Sequence, residues 1–284
     1  MIGGFWLFLA VWPSVRAGTS IDATNRYAYA GNLGWINWVA DTNNGAVIGE
    51  YVCSGNLYSE NTGWINLGSG SPANKIQYQN NSGTDYGVNQ DGLGNLTGDA
   101  WSANIGWVVF EQTYGQPKVN LYNGQLSGSI WSANCGWISL SNAWAYVQAD
   151  SIQQGALAPN GLPVAWLLQN FGTTNVNAGA DPTGKGYPIQ QDYLTGTDPN
   201  NFNSVFRITY FSRNPATLNT TLDWNSVSTH FYAIQTNSAL APGVWADRVA
   251  FPYLGASSGA WYDSTPTNNF YRLRVFRPLM PLAP

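Results

Sequence analysis

Charge is the scarcest thing in this sequence. Of 284 residues, 11 are Lys or Arg and 15 are Asp or Glu, so only 9% are charged, against about 25% in an ordinary soluble domain. No basic run tracks a phosphate backbone and the net charge is −4, which excludes nucleic acid as a partner. His230 is the sole histidine, and Cys53 and Cys135 are the only cysteines. A zinc centre wants three or four Cys or His ligands, so that chemistry is excluded too. Beyond residue 17 no apolar run approaches the roughly 20 residues of a membrane helix, and the mature chain is expected to have no membrane span. Phosphate-binding loops and dinucleotide fingerprints are missing.

What is present is apolar and aromatic. The chain is 44% hydrophobic and 14% aromatic, which is ample for packed cores and unlike a disordered chain. Its length allows about two domains. The first residues, "MIGGFWLFLAVWPSVRA", form a short apolar run with Val15 and Ala17 at the −3 and −1 positions of a signal-peptidase site. They predict a signal peptide over 1–17 and an exported, extracellular or cell-surface protein. A buried first strand and an uncleaved anchor are the alternatives. In an exported chain, two cysteines point to one disulfide, Cys53–Cys135, with two separate buried thiols as the alternative.

A heptapeptide recurs four times: "YAGNLGW" at 29–35, "YSENTGW" at 58–64, "WSANIGW" at 101–107 and "WSANCGW" at 131–137. The shared pattern is aromatic, Ser or Ala, any, Asn, any, Gly, Trp. Such self-similarity marks a repeat architecture, and the long middle interval fits an insertion around "GSGSPANKIQYQNNSGTDYG". The fourth copy, "KVNLYNGQLSGSIWSANCGWISL", shows the expected unit. "VNLY" is a strand, Asn-Gly a tight turn, "QLSGSIW" a second strand, and Asn134 and Gly136 supply positive φ before "GWISL". Each unit is therefore predicted to be a three-stranded antiparallel meander, with Trp131 and Trp137 paired across its second turn. The first copy lacks its leading strand.

A residue fixed beside an obligate turn in every copy is expected in the core, so Trp35, Trp64, Trp107 and Trp137 are assigned there. Asn32, Asn61, Asn104 and Asn134 are expected to bond backbone. The competing reading is a carbohydrate platform of exposed indoles. A Cys53–Cys135 bridge would tie the second unit to the fourth, which favours a sheet closed into a sandwich or barrel over a solenoid. "GSIWSANCGWISL" resembles the AWSxNxGWI-type β-repeats of bacterial exported proteins, over about residues 26–145. That resemblance carries no assigned chemistry.

After residue 150 the repeat stops. "GLPVAWLLQNFG" at 161–172 predicts a helix begun by Pro163 and ended by Gly172, and "DPTGKGYPIQQDYLTGTDP" follows at 181–199. The pair resembles the Asp-rich loops of bacterial thrombospondin type 3 repeats, which implies calcium held by carboxylates at positions 1, 3, 5 and 12 of a twelve-residue frame with Gly at 6. Here Asp181, Gly186 and Asp192 keep positions 1, 6 and 12, while Thr183 and Lys185 occupy 3 and 5. The earlier frame, from Ala156, offers Ala158, Asn160, Gly161 and Leu167 at 3, 5, 6 and 12. Calcium is therefore not expected. Asp181 and Asp192 are the weak metal candidates, and the Lys185 ammonium is expected to neutralise them in place of an ion. Residues 202–278 carry six strand-like runs, which predict a β-sandwich. They resemble small fibronectin-III-like domains, with Trp224 and Tyr232 expected in the core.

No catalytic constellation emerges. "GASSG" at 255–259 fits a nucleophile elbow formally, but it lies between predicted strands and after the sole histidine, so Ser257 is not assigned as a nucleophile. His230 is expected to face solvent or to be capped. Glu50 with Glu60, or Asp99 with Glu111, are the carboxylate pairs on which a glycosidase reading would rest, and their spacing in sequence does not fix their separation. The expectation is an all-β protein: a signal peptide at 1–17, a repeat domain at 18–148, a calcium-loop-like linker with two short helices at 149–200, and a sandwich at 201–284. The function expected is non-enzymatic, adhesive or envelope-structural, with a surface glycan or an envelope protein as partner. A carbohydrate-binding module is the alternative, and a polysaccharide-active enzyme the distant third.

Overall fold

The computed structural model describes residues 18–217, 219–239, 244–249, 258–263 and 270–277. The expected signal peptide and Ser257 lie outside them. Twelve strands form the first region: β1 (Ile21–Ala30), β2 (Gly34–Asn37), β3 (Ser54–Ser59), β4 (Gly63–Ser69), β5 (Val88–Gln90), β6 (Leu96–Ser102), β7 (Gly106–Phe110), β8 (Lys118–Val119), β9 (Leu126–Ser127), β10 (Ser129–Ser132), β11 (Gly136–Ser139) and β12 (Val147–Ala149). Two helices follow, α1 (Val164–Phe171) and α2 (Ile189–Thr195), and then β13 (Ile208–Arg213), β14 (Thr220–Asn225), β15 (Phe231–Asn237), β16 (Ala246–Val249), β17 (Ser258–Asp263) and β18 (Phe270–Phe276).

The repeat sheet closes. Its order is β11-β10-β7-β6-β4-β3-β2-β1, and β11 pairs back onto β1 to complete an eight-stranded antiparallel barrel. Each heptapeptide is the turn of one barrel hairpin, so all four turns sit at the same end. At each of the four junctions the residue two after the motif Trp pairs with the first aromatic of the next copy: Asn37 with Tyr58, Asn66 with Trp101, Val109 with Trp131, and Ser139 with Tyr29. The register thus advances by two at every junction, a total shear of about eight, which tilts the strands by about 36°.

Period-two alternation then fills the interior with tiers of four, one residue from each repeat. The residues after each motif Trp form one tier: Ile36, Ile65, Val108 and Ile138 are all buried. Trp38, Leu67, Phe110 and Leu140 form the next, and Ala28, Leu57, Ala100 and Ile130 pack beside them from the alternate strands. The motif glycines bend the turn. Gly34, Gly63, Gly106 and Gly136 all have φ between 69° and 77°, the left-handed position after a three-residue loop. Asn134 does not share that conformation, contrary to the sequence expectation. Its use is different, as described below.

The meander also needs correction. Only two strands of each unit enter the barrel, while the expected leading strand lies outside it, as β5 on β6 and β8 on β9. The predicted two-residue Asn123-Gly124 turn is a longer loop, in which Asn120 O accepts from Gly124 N. What the first copy lacks is supplied from the far end of the repeat, where β12 pairs with β1.

The remaining elements are close to expectation. Pro163 and Pro188 precede α1 and α2, and Gly172 and Gly196 end them in the left-handed conformation. Six strands form two three-stranded sheets, β13-β14-β17 and β16-β15-β18. Leu222 and Trp224 of one sheet meet Tyr232, Ile234 and Leu273 of the other in a single core. Phe231 instead joins the barrel's core, with Phe276 against it, and packs edge-on to Tyr122.

Candidate functional site

The motif indoles are outside. Their exposure runs from 38% at Trp101 and Trp131 to 50% at Trp64, with Trp35, Trp107 and Trp137 between. The expectation that Trp35, Trp64, Trp107 and Trp137 are core is therefore wrong. The reason is parity: the residue after each Trp points inward, so the Trp itself must point out. Cross-strand pairing was the correct part. Tyr29 faces Trp35, Tyr58 faces Trp64, Trp101 faces Trp107 and Trp131 faces Trp137 in register. Ring centroids of the first three pairs lie 5.0, 4.9 and 4.6 Å apart. The result is a belt of four aromatic pairs around the turn end of the barrel. Asn37, Asn66, Val109 and Ser139 stand between successive pairs.

The motif asparagines do bond backbone, but that of the neighbouring hairpin. Asn61 Nδ2 donates to Leu33 O, Asn104 Nδ2 to Thr62 O, Asn134 Nδ2 to Ile105 O, and Asn32 Nδ2 to Cys135 O, all at 2.9–3.0 Å. Each acceptor is the residue before a motif glycine, and the four bonds run head to tail into a ring. A Cβ on Gly34 would stand 3.3 Å from the Asn61 amide, so the glycine also makes room for this bond. These amides are structural and are not free to hold a ligand.

Cys53 and Cys135 are both free and buried, so the expected disulfide is corrected. Cys135 lies in a turn at one end of the barrel, whereas Cys53 precedes β3 at the other. Strand β3 alone runs about 20 Å at about 3.3 Å per residue, and a bridge needs Cα atoms within about 7 Å. Each thiol fills an apolar slot of the repeat. Cys135 stands where Leu33 and Ile105 plug the turn end, and Cys53 where Leu96 and Leu126 are buried at the loop end. Burial pushes the Cys53 thiol up to about 12.

In the calcium-like loop, Lys185 Nζ lies 2.8 Å from Asp192 Oδ1, with side chains only 1% and 0% exposed. The ammonium also donates to the carbonyls of Asp198, Asn201 and Ser204. A tethered cation thus sits among the oxygens. Asp181 turns elsewhere, accepting from the amides of Lys185 and Gly186. In the earlier frame, Ala158 and Leu167 belong to a small apolar core with Tyr193.

The carboxylate pairs separate into unrelated roles. Glu60 lies in a turn at the belt end and Glu50 at the opposite end. Glu111 accepts from the amides of Thr113, Tyr114 and Gly115 and so holds a turn, which pulls its carboxyl below the usual range. Asp99 is raised by partial burial.

The loop end contains what the sequence did not reveal, a cavity of about 380 Å³ between barrel, helices and sandwich. Glu50, Gln90, Trp166, Gln169, His230 and Arg277 line it. Arg277 forms an ion pair with Glu50 through Nη2 and lies over the Tyr193 ring, 3.9 Å from its centroid. Tyr193 in turn donates to Glu50 Oε2 at 3.1 Å and accepts from Gln154. Burial pushes the Glu50 carboxyl up to about 8 and the Arg277 guanidinium down to about 9. His230 is buried, not solvent-facing, and desolvation lowers it to about 4. Its Nδ1 lies 2.9 Å from Thr229 Oγ1. No protein-family model matches this chain, and no curated protein or solved structure does either. Function rests on the geometry.

Proposed function

We propose that this chain is a non-enzymatic adhesive module of an exported or cell-surface protein, and that it adheres to carbohydrate through the aromatic belt. The observation that carries this reading is the half-exposure of the motif indoles at equivalent places in all four copies. An interior position would explain their repetition by packing alone, and they do not have one. Rigid aromatic side chains supply contact area with little entropy to lose. Their faces match the apolar faces of sugar rings, while Asn37, Asn66 and Ser139 bring hydroxyl-bonding groups beside them. The scarcity of charge fits a neutral polymer. A lipid-facing belt fits poorly, because a membrane barrel is polar within and apolar without, and this interior is filled with Ile, Leu and Val.

Retention on insoluble polysaccharides (cellulose, chitin, xylan and peptidoglycan) tests the reading. Four equivalent sites act by avidity. Trp64→Ala should therefore weaken retention several-fold, and alanine at Trp35, Trp64, Trp107 and Trp137 together should abolish it while a cooperative urea melt shows that the variant is still folded. Failure to bind any polysaccharide, or binding indifferent to the fourfold variant, overturns the proposal.

A further inference from the structure

We infer that the belt is a cross-linker: each of its aromatic pairs takes a separate carbohydrate chain, so that one protein ties several chains of a hydrated polysaccharide together. This rests on the reading of the belt as a carbohydrate surface, and goes beyond it by stating what four such sites do at once.

The barrel sets the directions. Each pair spans one hairpin, and the hairpins follow one another around the closed sheet with the same two-residue step at every junction, including the last, from Ser139 to Tyr29. Equal steps around a closed ring place neighbouring pairs about 90° apart about the barrel axis. Eight strands about 4.8 Å apart and tilted by about 36° close to a radius of about 7–8 Å. So tightly curved a surface turns away from a stiff polymer, which leaves one pair along a tangent and misses the next. A flat crystalline face meets one pair squarely, or the edges of two.

The rings within a pair make the same choice. Their planes are turned by 62° in Tyr29–Trp35, 58° in Tyr58–Trp64 and 61° in Trp101–Trp107. Rings so inclined cannot both lie flat on a planar face; they form an angled seat for a single chain. The seats stay open to solvent. Tyr86 packs 5.3 Å from Trp107 and the loop at Gly115 approaches Trp137, yet these indoles remain 41% and 47% exposed. The helices and the sandwich pack at the opposite end of the barrel. Sites that face away from one another and cannot share one stiff chain join different chains, and this is multivalency between polymers, not along one.

Soluble polymers test this with the full chain: arabinoxylan, mixed-linkage β-glucan, hydroxyethylcellulose and glycol chitin, each beside a hexasaccharide of the same linkage. Titration with the hexasaccharide of the polymer that binds should give one site per pair, four per protein. Light scattering of that polymer should rise to a maximum as protein is added and fall again in excess protein, when every segment holds a protein of its own. Alanine at Trp35, Trp107 and Trp137 leaves the Trp64 pair alone. This variant should take one hexasaccharide, with a Kd within about twofold of the parent's per-site value because distant sites act independently, and should lose the scattering maximum. Cross-linking is overturned, with the belt still a sugar surface, by a single hexasaccharide site in the parent or by a scattering maximum that survives the triple change. It is overturned equally by a triple variant that is folded in a urea melt and takes no hexasaccharide. Where that variant does not fold, the parent's stoichiometry decides. Failure of every polymer to bind overturns the belt reading itself, and cross-linking falls with it.

Discussion

At one end of the barrel, four turns of the same seven-residue design interlock through four equivalent amide bonds. At the other, connections of unequal length and unrelated sequence fold back as β5, β8, β9 and β12, and every barrel residue that lines the cavity comes from them. The first end repeats one solution, so its chemistry is displayed four times on the outer surface. The second end has no symmetry to obey, and it is there that an ion pair, a histidine and a cavity are assembled. Repetition suits display; irregularity suits enclosure.

The contrast between inner tiers and outer belt gives the largest expected effect. Phe110→Ala empties a fully buried slot and should lower stability by about 3–5 kcal/mol. Trp107→Ala, three residues away, removes a half-exposed ring and its edge-on contacts with Trp101 and Tyr86, and should cost only about 1–2 kcal/mol. Urea melts of the two variants decide the matter, and equal losses would refute the assignment of faces. Next comes the loop end. Because His230 is held near 4 when folded but titrates near 6.5 when unfolded, the unfolded chain binds the extra proton between those values. Stability due to this group is therefore complete above about pH 6.5 and falls by about 3 kcal/mol as the pH drops to 4. His230→Gln should flatten that slope, and a parent and variant with parallel pH profiles would count against the buried neutral imidazole. The smallest effect belongs to the ring. Asn134→Ala strips one amide from the Ile105 carbonyl and should cost about 1 kcal/mol, read from chemical denaturation. A neutral result would mean that the strand pairing alone holds the turns together.

Much of this architecture could be read from residue order. The four copies, the left-handed glycines, the paired aromatics, the proline-led helices and the Lys185–Asp192 half of the expected neutralisation are all legible, because each is local. The orientation of the Trp residues is legible in the residues that follow them. In three copies the residue two after Trp is polar (Asn37, Asn66, Ser139), while the residues one and three after it are apolar, and this places Trp on the wet face. The same comparison places Cys53 with Leu96 and Leu126, and Cys135 with Leu33 and Ile105, which marks both as small hydrophobes. Closure of the sheet was expected from a disulfide that is not there; strand pairing and the asparagine ring close it instead. The cavity had no local signature at all, since Glu50, Gln90, Trp166, His230 and Arg277 are scattered along the whole chain.

One edge of β1 is taken by β2 and the other by β11 and β12, and this has a consequence for how the chain acquires its fold. The bond from Asn32 to Cys135 joins residues 103 apart, and β12 reaches β1 from farther still. The first strand made is thus the last to be paired on both sides. Until the fourth copy and β12 arrive, the growing sheet carries an open edge at each flank, the arrangement most exposed to pairing with another chain. Non-local closure of this kind is intrinsically slow, because the entropy of the loop is lost before the contacts form. The barrel is consequently a structure that completes itself only once the repeat region is whole, in a single late step.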